Sequence, residues 1–350
     1  MTTSTGAARL ECCIWELTLR CNLRCLHCGA TAGRARPYEL ATVEAMRVAD
    51  ELAALPAGEV TLMGGELLLR SDWPQVAERL RSGGVQIVIF TNGTRLTPGD
   101  IARLRGLAPR TIGVSLDGGR AAVHDDVRGV RGAFDRTWAA IKSLQKAGLR
   151  VAVITTLTRR NLYELPAIAQ LLAGRDIRWQ VQVAGVGGER LARGDLLRPL
   201  EFYFAALAIA RLRATFLWST LPLIGAHDFG YCSSRLPALG VPGQVWTGCS
   251  AGRNTAGIRS NGRVQPCLSL PEDTSVGDLR VSSFGDLWRG PAFAPWRAPV
   301  ERHGFCRECA HGERCEGGCT GLAITTSGRR GDNPMCLYSI ERSSSESACH

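Results

Sequence analysis

Between residues 13 and 183 the chain alternates short apolar strands with helical segments, and this alternation limits what it can fold into. Repeated strand–helix units place consecutive strands side by side and parallel, with the helices as crossovers. Six units are fewer than the eight of a closed barrel. The expected fold class is therefore α/β, with a partial (β/α)6 parallel barrel. The predicted strands are residues 13–18, 59–64, 85–90, 111–116, 151–156 and 177–184.

Alternation within these strands predicts which side chains face inward. In the first strand, Trp15 and Leu17 lie on one face and Glu16 on the other. The apolar faces should pack beneath the helices, and the polar faces should line a lumen that opens at the carboxyl ends of the strands. Alternatively, the polar side chains only satisfy one another. The candidate substrate contacts in the lumen are Glu16, Thr156, Gln180 and Gln182.

The 350-residue chain has fourteen cysteines, five within the first 28 residues and nine from residue 232 onward. The N-terminus lacks a secretion signal, so we expect a cytoplasmic protein, and disulfides are rare in that reducing compartment. Metal or cluster ligation is the favoured interpretation. No apolar run approaches membrane-spanning length. The net charge of +10 comes mostly from arginines spread along the chain, so neither a membrane nor a nucleic-acid partner is expected.

Three cysteines follow the first strand directly in the sequence CNLRCLHC, at Cys21, Cys25 and Cys28. Zinc sites and iron–sulfur clusters normally take four protein ligands. Three thiolates would leave one position open, and an open position is where a reacting molecule binds. A zinc or structural thiol site is the alternative for this stretch.

Polar or glycine motifs also end the next three predicted strands. Gly64-Gly65-Glu66 ends the second, Asn92 follows the third, and Ser115 ends the fourth, with Arg128 beyond it. Glycine allows close approach of the backbone to a ligand, a carboxylate pairs with an ammonium group, and a guanidinium suits a carboxylate. Each motif alone is typical of a turn, but their order at successive strand ends indicates one site.

A second set of cysteines lies in a Gly- and Pro-rich region after residue 230, which we expect to bury little apolar surface and to need metal for its shape. Cys249 and Cys267 read C-x12-G-x4-C around Gly262. The later spacing is C-x2-C-x5-C-x3-C followed by one more cysteine, formed by Cys306, Cys309, Cys315, Cys319 and Cys336.

The first motif and its companions at the strand ends resemble the radical S-adenosylmethionine (SAM) enzymes, and the seven later cysteines resemble their SPASM extension, an auxiliary-cluster domain. The resemblance covers about residues 13–336. It implies a partial-barrel core at 10–200, a bridging helix and linker at 201–231, and a small loop-rich SPASM domain at 232–336 that holds auxiliary 4Fe–4S clusters. Residues 337–350 are expected to be a disordered tail.

The resemblance implies three 4Fe–4S clusters. Cys21, Cys25 and Cys28 would hold the first, and SAM would occupy its open iron. By position, the inner auxiliary cluster would take Cys249, Cys267 and Cys319, and the outer one Cys306, Cys309, Cys315 and Cys336. Either Cys232 completes the inner cluster or one of its irons is open. The implied SAM-binding residues are His27, Gly64, Gly65, Glu66, Asn92, Ser115 and Arg128, with Glu66 on the amino group and Arg128 on the carboxylate.

Members of this family cleave SAM reductively to a 5′-deoxyadenosyl radical, which abstracts hydrogen from a substrate C–H bond. The implied electron donor is flavodoxin or ferredoxin. Relatives with the SPASM extension mostly modify ribosomal peptides or proteins in natural-product biosynthesis, by cross-linking, epimerisation or oxidation, and this is the expected function. Only about a dozen residues precede the first strand, so leader-peptide recognition is expected from the core or from a separate partner.

Two other functions remain open from the sequence. One is a small-molecule dehydrogenase or epimerase acting on a sugar or aminocyclitol. Epimerisation needs a hydrogen donor, and Cys232 is the candidate for this role. The other is a non-catalytic zinc or electron-transfer protein.

Overall fold

The computed structural model describes residues 9–347 except 56, 186, 227, 228, 230 and 231. Within these residues, ten strands form a single sheet in the order β10-β9-β8-β1-β2-β3-β4-β5-β6-β7. The strands are β1 (Cys12–Thr18), β2 (Glu59–Gly64), β3 (Gln86–Thr91), β4 (Thr111–Ser115), β5 (Val151–Leu157), β6 (Arg178–Val183), β7 (Leu223–Gly225), β8 (Thr255–Ile258), β9 (Arg263–Gln265) and β10 (Gly277–Asp278).

The six predicted strands are confirmed as β1 to β6. Each pairs with the next in parallel, and β7 adds a further parallel strand beside β6. Because β7 and β10 are the two ends of the strand order, the sheet is open. The α/β partial barrel expected from the sequence is therefore the observed architecture.

Twelve α-helices occur in the described residues, and those between the strands carry apolar side chains at helical spacing. In the fifth helix, for example, Ala140, Ile141 and Leu144 are buried on one face. The helices are α1 (Thr42–Ala54), α2 (Trp73–Ser82), α3 (Pro98–Leu107), α4 (Ala121–Arg128), α5 (Ala133–Lys146), α6 (Leu165–Leu172), α7 (Pro199–Thr215), α8 (Phe284–Arg289), α9 (Ala294–Arg297), α10 (Gly312–Cys315), α11 (Thr320–Ser327) and α12 (Leu337–Ser347).

The C-terminal region, residues 232–347, continues the sheet of the barrel. β8 pairs in parallel with β1, and β9 and β10 extend the sheet in antiparallel fashion. These strands have two to four residues each, too short for an alternation pattern to reveal them in sequence. The first strand of the chain is therefore interior to the sheet, with a neighbour on each side.

The C-terminal region also buries more apolar surface than its composition led us to expect. Phe284, Trp288 and Phe293 are almost fully buried and belong to the same core as the barrel strands. The Trp288 ring lies 4.9 Å from that of Phe293, and the Phe284 amide donates to Glu51 of α1 at 2.7 Å. Packing on α1 therefore helps to hold this region, and the role of metal ligation stays a prediction.

The tail expected to be disordered from residue 337 is instead helical through residue 347, as α12; residues 348–350 lie outside the described residues. Leu337 and Ile340 are buried in the core. Glu341 is 3% exposed and accepts hydrogen bonds from Ser234 N at 2.7 Å and from Tyr203 Oη, in α7, at 3.0 Å. These contacts fasten the helix to the expected bridging helix, which is α7. No helix among the described residues has the length and apolar character to cross a bilayer.

Replacing Glu341 with alanine should loosen α12. The change removes the charged acceptor of hydrogen bonds from Ser233, Ser234 and Tyr203, at a cost of about 1–3 kcal/mol in the free energy of unfolding. Amide hydrogen exchange across α12 should accelerate. Arg342→Ala, at the next and exposed position, is the matched control, and equal acceleration in both variants would contradict the assigned role of Glu341.

Candidate active site

The cysteine loop, residues 19–41, connects β1 to α1 and carries the first three cysteines. Cys25 is buried beside Leu23 and Ala133. The Leu26 amide donates to Val127 O at 2.9 Å, which holds the loop against the end of α4. The pairing of β1 with β2 shifts between Glu16 and Thr18, and such irregularities redirect a strand end. The loop thus leaves the sheet at the carboxyl edge.

Each sulfur of the first motif faces an N–H donor. The donors are Leu23 N at 3.4 Å from Cys21 Sγ, Ala32 N at 3.3 Å from Cys28 Sγ, and Arg128 Nη1 at 3.6 Å from Cys25 Sγ. Burial raises the pKa of the Cys25 thiol, and Arg128 opposes that effect. Donors aimed at sulfur favour the thiolate, which is the form that binds a metal cluster. These residues therefore fit a cluster held by three thiolates.

A buried ion-pair network stands behind Cys25. Arg128 Nη2 lies 2.7 Å from Asp117 Oδ2, and His27 Nε2 lies 3.3 Å from the same oxygen. Burial lowers the pKa of His27 to about 4, so its ring is neutral at pH 7. Burial alone would raise the pKa of Asp117, but the charge of Arg128 and the smaller contributions of its other neighbours together outweigh burial, and the net shift is downward. Asp117 is therefore the counter-charge that keeps Arg128 in place.

Arg128 makes two contacts within the protein, to Asp117 and to Cys25 Sγ, because a fully buried carboxylate needs a fixed cation nearby. The Arg128 Nε is buried and has no hydrogen-bond partner among the described residues. The contact with the SAM carboxylate that the sequence led us to expect stays a prediction. The side chain of His27 likewise faces Asp117, and its contact with SAM stays a prediction.

The Glu66 carboxylate is also committed within the protein. It is 1% exposed and accepts from Asn92 N at 2.7 Å, from Thr91 Oγ1 at 2.8 Å and from Leu68 N at 3.1 Å. Glu66 accepts from the Asn92 amide and the Thr91 hydroxyl at the end of β3 and so joins the ends of β2 and β3. Its pairing with the SAM amino group stays a prediction.

Gly64 and Gly65 form the closest backbone approach to the cysteine loop. A Cβ on Gly64 would overlap the carbonyl oxygen of Thr18, and one on Gly65 would overlap those of Leu19 and Arg20. Any larger residue would push the loop away from β2. The two glycines therefore set the position of the loop that carries Cys21.

Asn92 links the end of β3 to the cysteine loop. Its Nδ2 donates to Asn22 Oδ1 at 3.1 Å and lies 3.9 Å from Cys21 Sγ, while its Oδ1 accepts from Thr94 N at 2.9 Å. Ser115 ends β4 at a half-buried position, paired with Ile154 of β5. Asn92 thus supports the first cysteine, and Ser115 remains a predicted SAM contact.

The four predicted lumen residues are largely bonded to protein groups. Gln182 Nε2 donates to Thr156 Oγ1 at 3.1 Å, and Gln180 Nε2 lies 3.4 Å from Gln182 Oε1. Glu16 accepts from Arg36 Nε at 2.9 Å. Their hydrogen bonds therefore go to other protein side chains, as in the alternative that the sequence left open. The half-buried glutamines still have surface for a substrate.

Five cysteines line one cavity in the C-terminal region, here called the outer cavity. They are Cys232, Cys306, Cys309, Cys315 and Cys336. The last four are the set expected for the outer cluster. The sequence left open whether Cys232 completes the inner cluster; it lines the outer cavity instead, with its Sγ 3.6 Å from Arg314 Nη2. The hydrogen bond between Cys232 and Cys315, with that cation, lowers the pKa of Cys232 to about 6.

The segments that carry Cys249, Cys267 and Cys319 lie next to one another. A Cβ on Gly321 would contact Ser269, two residues beyond Cys267, and a Cβ on Gly248 would approach Glu316. Within the described part of the chain, no three His, Cys, Asp or Glu side chains converge closely enough to hold one metal ion.

The sequence did not identify three residues that the structure places at this edge of the sheet. Asp117 belongs to the Ser-Leu-Asp-Gly stretch at the end of β4, and its position at a strand end could have identified it. Arg36 and Arg259 carried no such signal in the sequence, because their partners, Glu16 and Glu272, are distant in the chain.

Gly65→Ala should displace the cysteine loop, because its new methyl group would collide with two backbone carbonyls. We expect the variant to lose the iron and the visible absorbance of the first site. Gly33→Ala is the matched control, since Gly33 also contacts Leu19 but a Cβ there meets no atom within 4 Å. Unchanged iron in Gly65→Ala would refute the positioning role.

Cys232→Ser should retain the iron of the outer cavity, because four other thiols line it. Cys306→Ser should lose about four irons per chain, the content of one 4Fe–4S cluster. Iron analysis after anaerobic reconstitution measures both. Equal losses in the two variants would make Cys232 a required ligand.

Comparison with known proteins agrees with this geometry. Residues 15–172 match the model of the Radical SAM superfamily, and residues 249–310 match SPASM, an iron–sulfur cluster-binding domain. The AdoMet-dependent heme synthase of Methanosarcina barkeri is 31% identical over 357 residues, covering 97% of this chain and 99% of that protein. Mycofactocin maturase of Mycolicibacterium smegmatis is 30% identical, covering 93% of this chain and 82% of the maturase.

Solved structures share the fold at lower identity. Streptococcus suis SuiB bound to its precursor peptide SuiA has a TM-score of 0.72 at 16% identity, covering 95% of this chain and 76% of SuiB. The enzyme anSMEcpe with AdoMet and a peptide has a TM-score of 0.71 at 16% identity, covering 97% of each chain. With a relative 31% identical along nearly its whole length, the chain belongs to the radical SAM superfamily and carries a C-terminal SPASM iron–sulfur cluster-binding domain.

Proposed function

We propose that the protein binds SAM at a 4Fe–4S cluster held by Cys21, Cys25 and Cys28, and removes a hydrogen atom from a C–H bond of a substrate in the lumen. The observation that carries this proposal is the cysteine loop at the carboxyl edge of the sheet, where each sulfur faces a donor. When bound, the cluster and SAM supply one-electron cleavage of the sulfonium and thereby the 5′-deoxyadenosyl radical.

The residues of this chain hold and shield that chemistry. Arg128 places a positive charge against Cys25, and Asp117 holds the guanidinium there. Gly64 and Gly65 bring backbone next to the cysteine loop, so that a ligand there meets main-chain groups without intervening side chains. The buried faces of β1 to β6 exclude water from the barrel's core, as a site of radical chemistry requires.

Two auxiliary 4Fe–4S clusters complete the proposal. The outer cavity supports one, held by Cys306, Cys309, Cys315 and Cys336. The adjoining segments of Cys249, Cys267 and Cys319 support the other. These clusters would carry an electron away from the oxidised substrate, and flavodoxin or ferredoxin in the cytoplasm would reduce the first cluster.

A peptide is the first candidate substrate. Mycofactocin maturase, at 30% identity, supports a maturation reaction, and the fold of SuiB accommodates a precursor peptide. Cross-linking, epimerisation or oxidation of a residue within a natural-product pathway would each follow hydrogen abstraction. A separate leader-binding partner belongs to this candidate.

A tetrapyrrole is the second candidate substrate. The heme synthase, which is 31% identical, supports this candidate, and this chain matches nearly the whole length of that enzyme. Such a molecule is a small-molecule substrate, as in the dehydrogenase alternative raised by the sequence, although it is neither a sugar nor an aminocyclitol.

Cys25→Ala should abolish formation of 5′-deoxyadenosine from SAM under reducing conditions, because the first cluster loses a ligand. The matched control is Cys13→Ala. This change also removes a sulfur, but Cys13 is fully buried on the face of β1 that carries Trp15, opposite to Glu16. Reconstituted enzyme, dithionite and chromatographic detection of 5′-deoxyadenosine measure the rate. Equal rates in wild type and Cys25→Ala would overturn the proposed function.

Isotope transfer separates the two substrate classes. Deuterium should appear in 5′-deoxyadenosine only when the correct deuterated substrate is supplied, whether a peptide from a neighbouring gene or a tetrapyrrole. Transfer from neither, with SAM cleavage intact, would refute both substrate candidates.

A further inference from the structure

Two buried arginines lie together beside the cysteine loop. Arg36 belongs to the loop, and Arg259 follows β8 directly; their side chains are 11% and 7% exposed. Arg36 Nε lies 2.9 Å from Glu16 Oε1, and Arg259 Nη1 lies 3.9 Å from Glu16 Oε2. Two positive charges therefore meet one buried carboxylate at the wall of the lumen.

Glu16 is heavily engaged. Its Oε1 accepts from Arg36 Nε and also from Ser260 N and Oγ, at 3.1 and 2.9 Å. The remaining negative charge comes from Glu272, which lies 2.7 Å from Arg36 Nη1 and 3.5 Å from Arg259 Nη1. Unlike the arginines, the Glu272 side chain is 56% exposed. Two buried cations thus share one buried and one exposed carboxylate.

Arg259 retains unused hydrogen-bonding capacity. Its Nη2 donates to Leu270 O at 3.1 Å, but its Nε is buried and has no hydrogen-bond partner among the described residues. Buried donors in native proteins are normally paired. Arg259 therefore keeps one buried donor that no described group satisfies.

We propose that Arg36 and Arg259 bind a carboxylate of the substrate, and that Glu272 occupies this position until the substrate arrives. Because the Glu272 side chain is 56% exposed, it is rehydrated when it leaves, and the incoming carboxylate replaces its charge beside the two buried arginines. A carboxylate enclosed between two guanidiniums gains charge-assisted hydrogen bonds in a fixed geometry. The inference rests on the proposed function and narrows its substrate to carboxylate-bearing molecules, which include peptides and tetrapyrroles alike.

Acetate tests the site without turnover. The reconstituted holoenzyme is saturated with SAM, so that the carboxylate of SAM cannot compete, and titrated with 13C-acetate in an NMR line-broadening experiment. Glu272→Gln should tighten acetate binding roughly threefold, because the competing carboxylate is gone. Arg259→Gln should weaken it roughly tenfold or more, because a charged donor is lost. Acetamide, which is neutral, should not bind.

Arg79→Gln is the matched control. It breaks an exposed ion pair between Arg79 and Asp50, neither of which belongs to the proposed carboxylate site, so acetate affinity should not change. Unchanged or weaker acetate binding in Glu272→Gln would overturn the inference even if Arg259→Gln misfolds. Because the readout is binding, this result is independent of the SAM-cleavage assay that tests the proposed function.

Two further arms identify the source of the carboxylate. A peptide with a free C-terminus is compared with its amide, and a carboxylate-bearing tetrapyrrole with its methyl ester. The holoenzyme should prefer the acid form in one arm, and Arg259→Gln should lose that preference. No preference for the acid in either arm would overturn the inference.

Discussion

The position of β1 between two parallel neighbours is the constraint on which the rest of the molecule depends. Its register pairs Cys12 with Glu59 of β2 on one side and with Thr255 of β8 on the other. A shift of one residue would move every side chain of the strand to the opposite face. Trp15 would then leave the core, and Glu16 would leave the lumen wall. The cysteine loop starts where this strand ends, so the strand's register also sets the position of the first site.

Buried charges then divide the carboxyl edge of the sheet into two functional parts. Beside Cys25, Asp117 and Arg128 form a matched pair that directs a guanidinium at sulfur. Beside the lumen, Arg36 and Arg259 share the buried Glu16 and the exposed Glu272. A matched buried pair favours a fixed structure, whereas a buried cation with an exposed partner favours exchange for a ligand. The first arrangement suits a resident cofactor, and the second suits a substrate.

Sequence reasoning succeeded where the pattern was local. The strands β1 to β6 carry alternating apolar residues, which predict them, and each set of clustered cysteines falls on a short segment. Sequence reasoning could not find which groups of the protein each polar side chain meets. Arg128 contacts Asp117, and Glu66 accepts from the Asn92 amide. Cys232, one of two alternatives for completing the inner cluster, lines the outer cavity, because α12 packs against its segment: Tyr338 N donates to Cys232 O at 3.1 Å.

By itself, the sequence determined the parallel α/β sheet, the open partial barrel and the two groups of cysteines, since periodicity and spacing act over neighbouring residues. Only the tertiary structure decided that β8 joins β1, that α12 docks on α7, and which carboxylate each buried arginine meets. Such pairings join residues far apart in the chain. Their free energy comes from desolvating both partners at once, and that depends on where the whole fold places them.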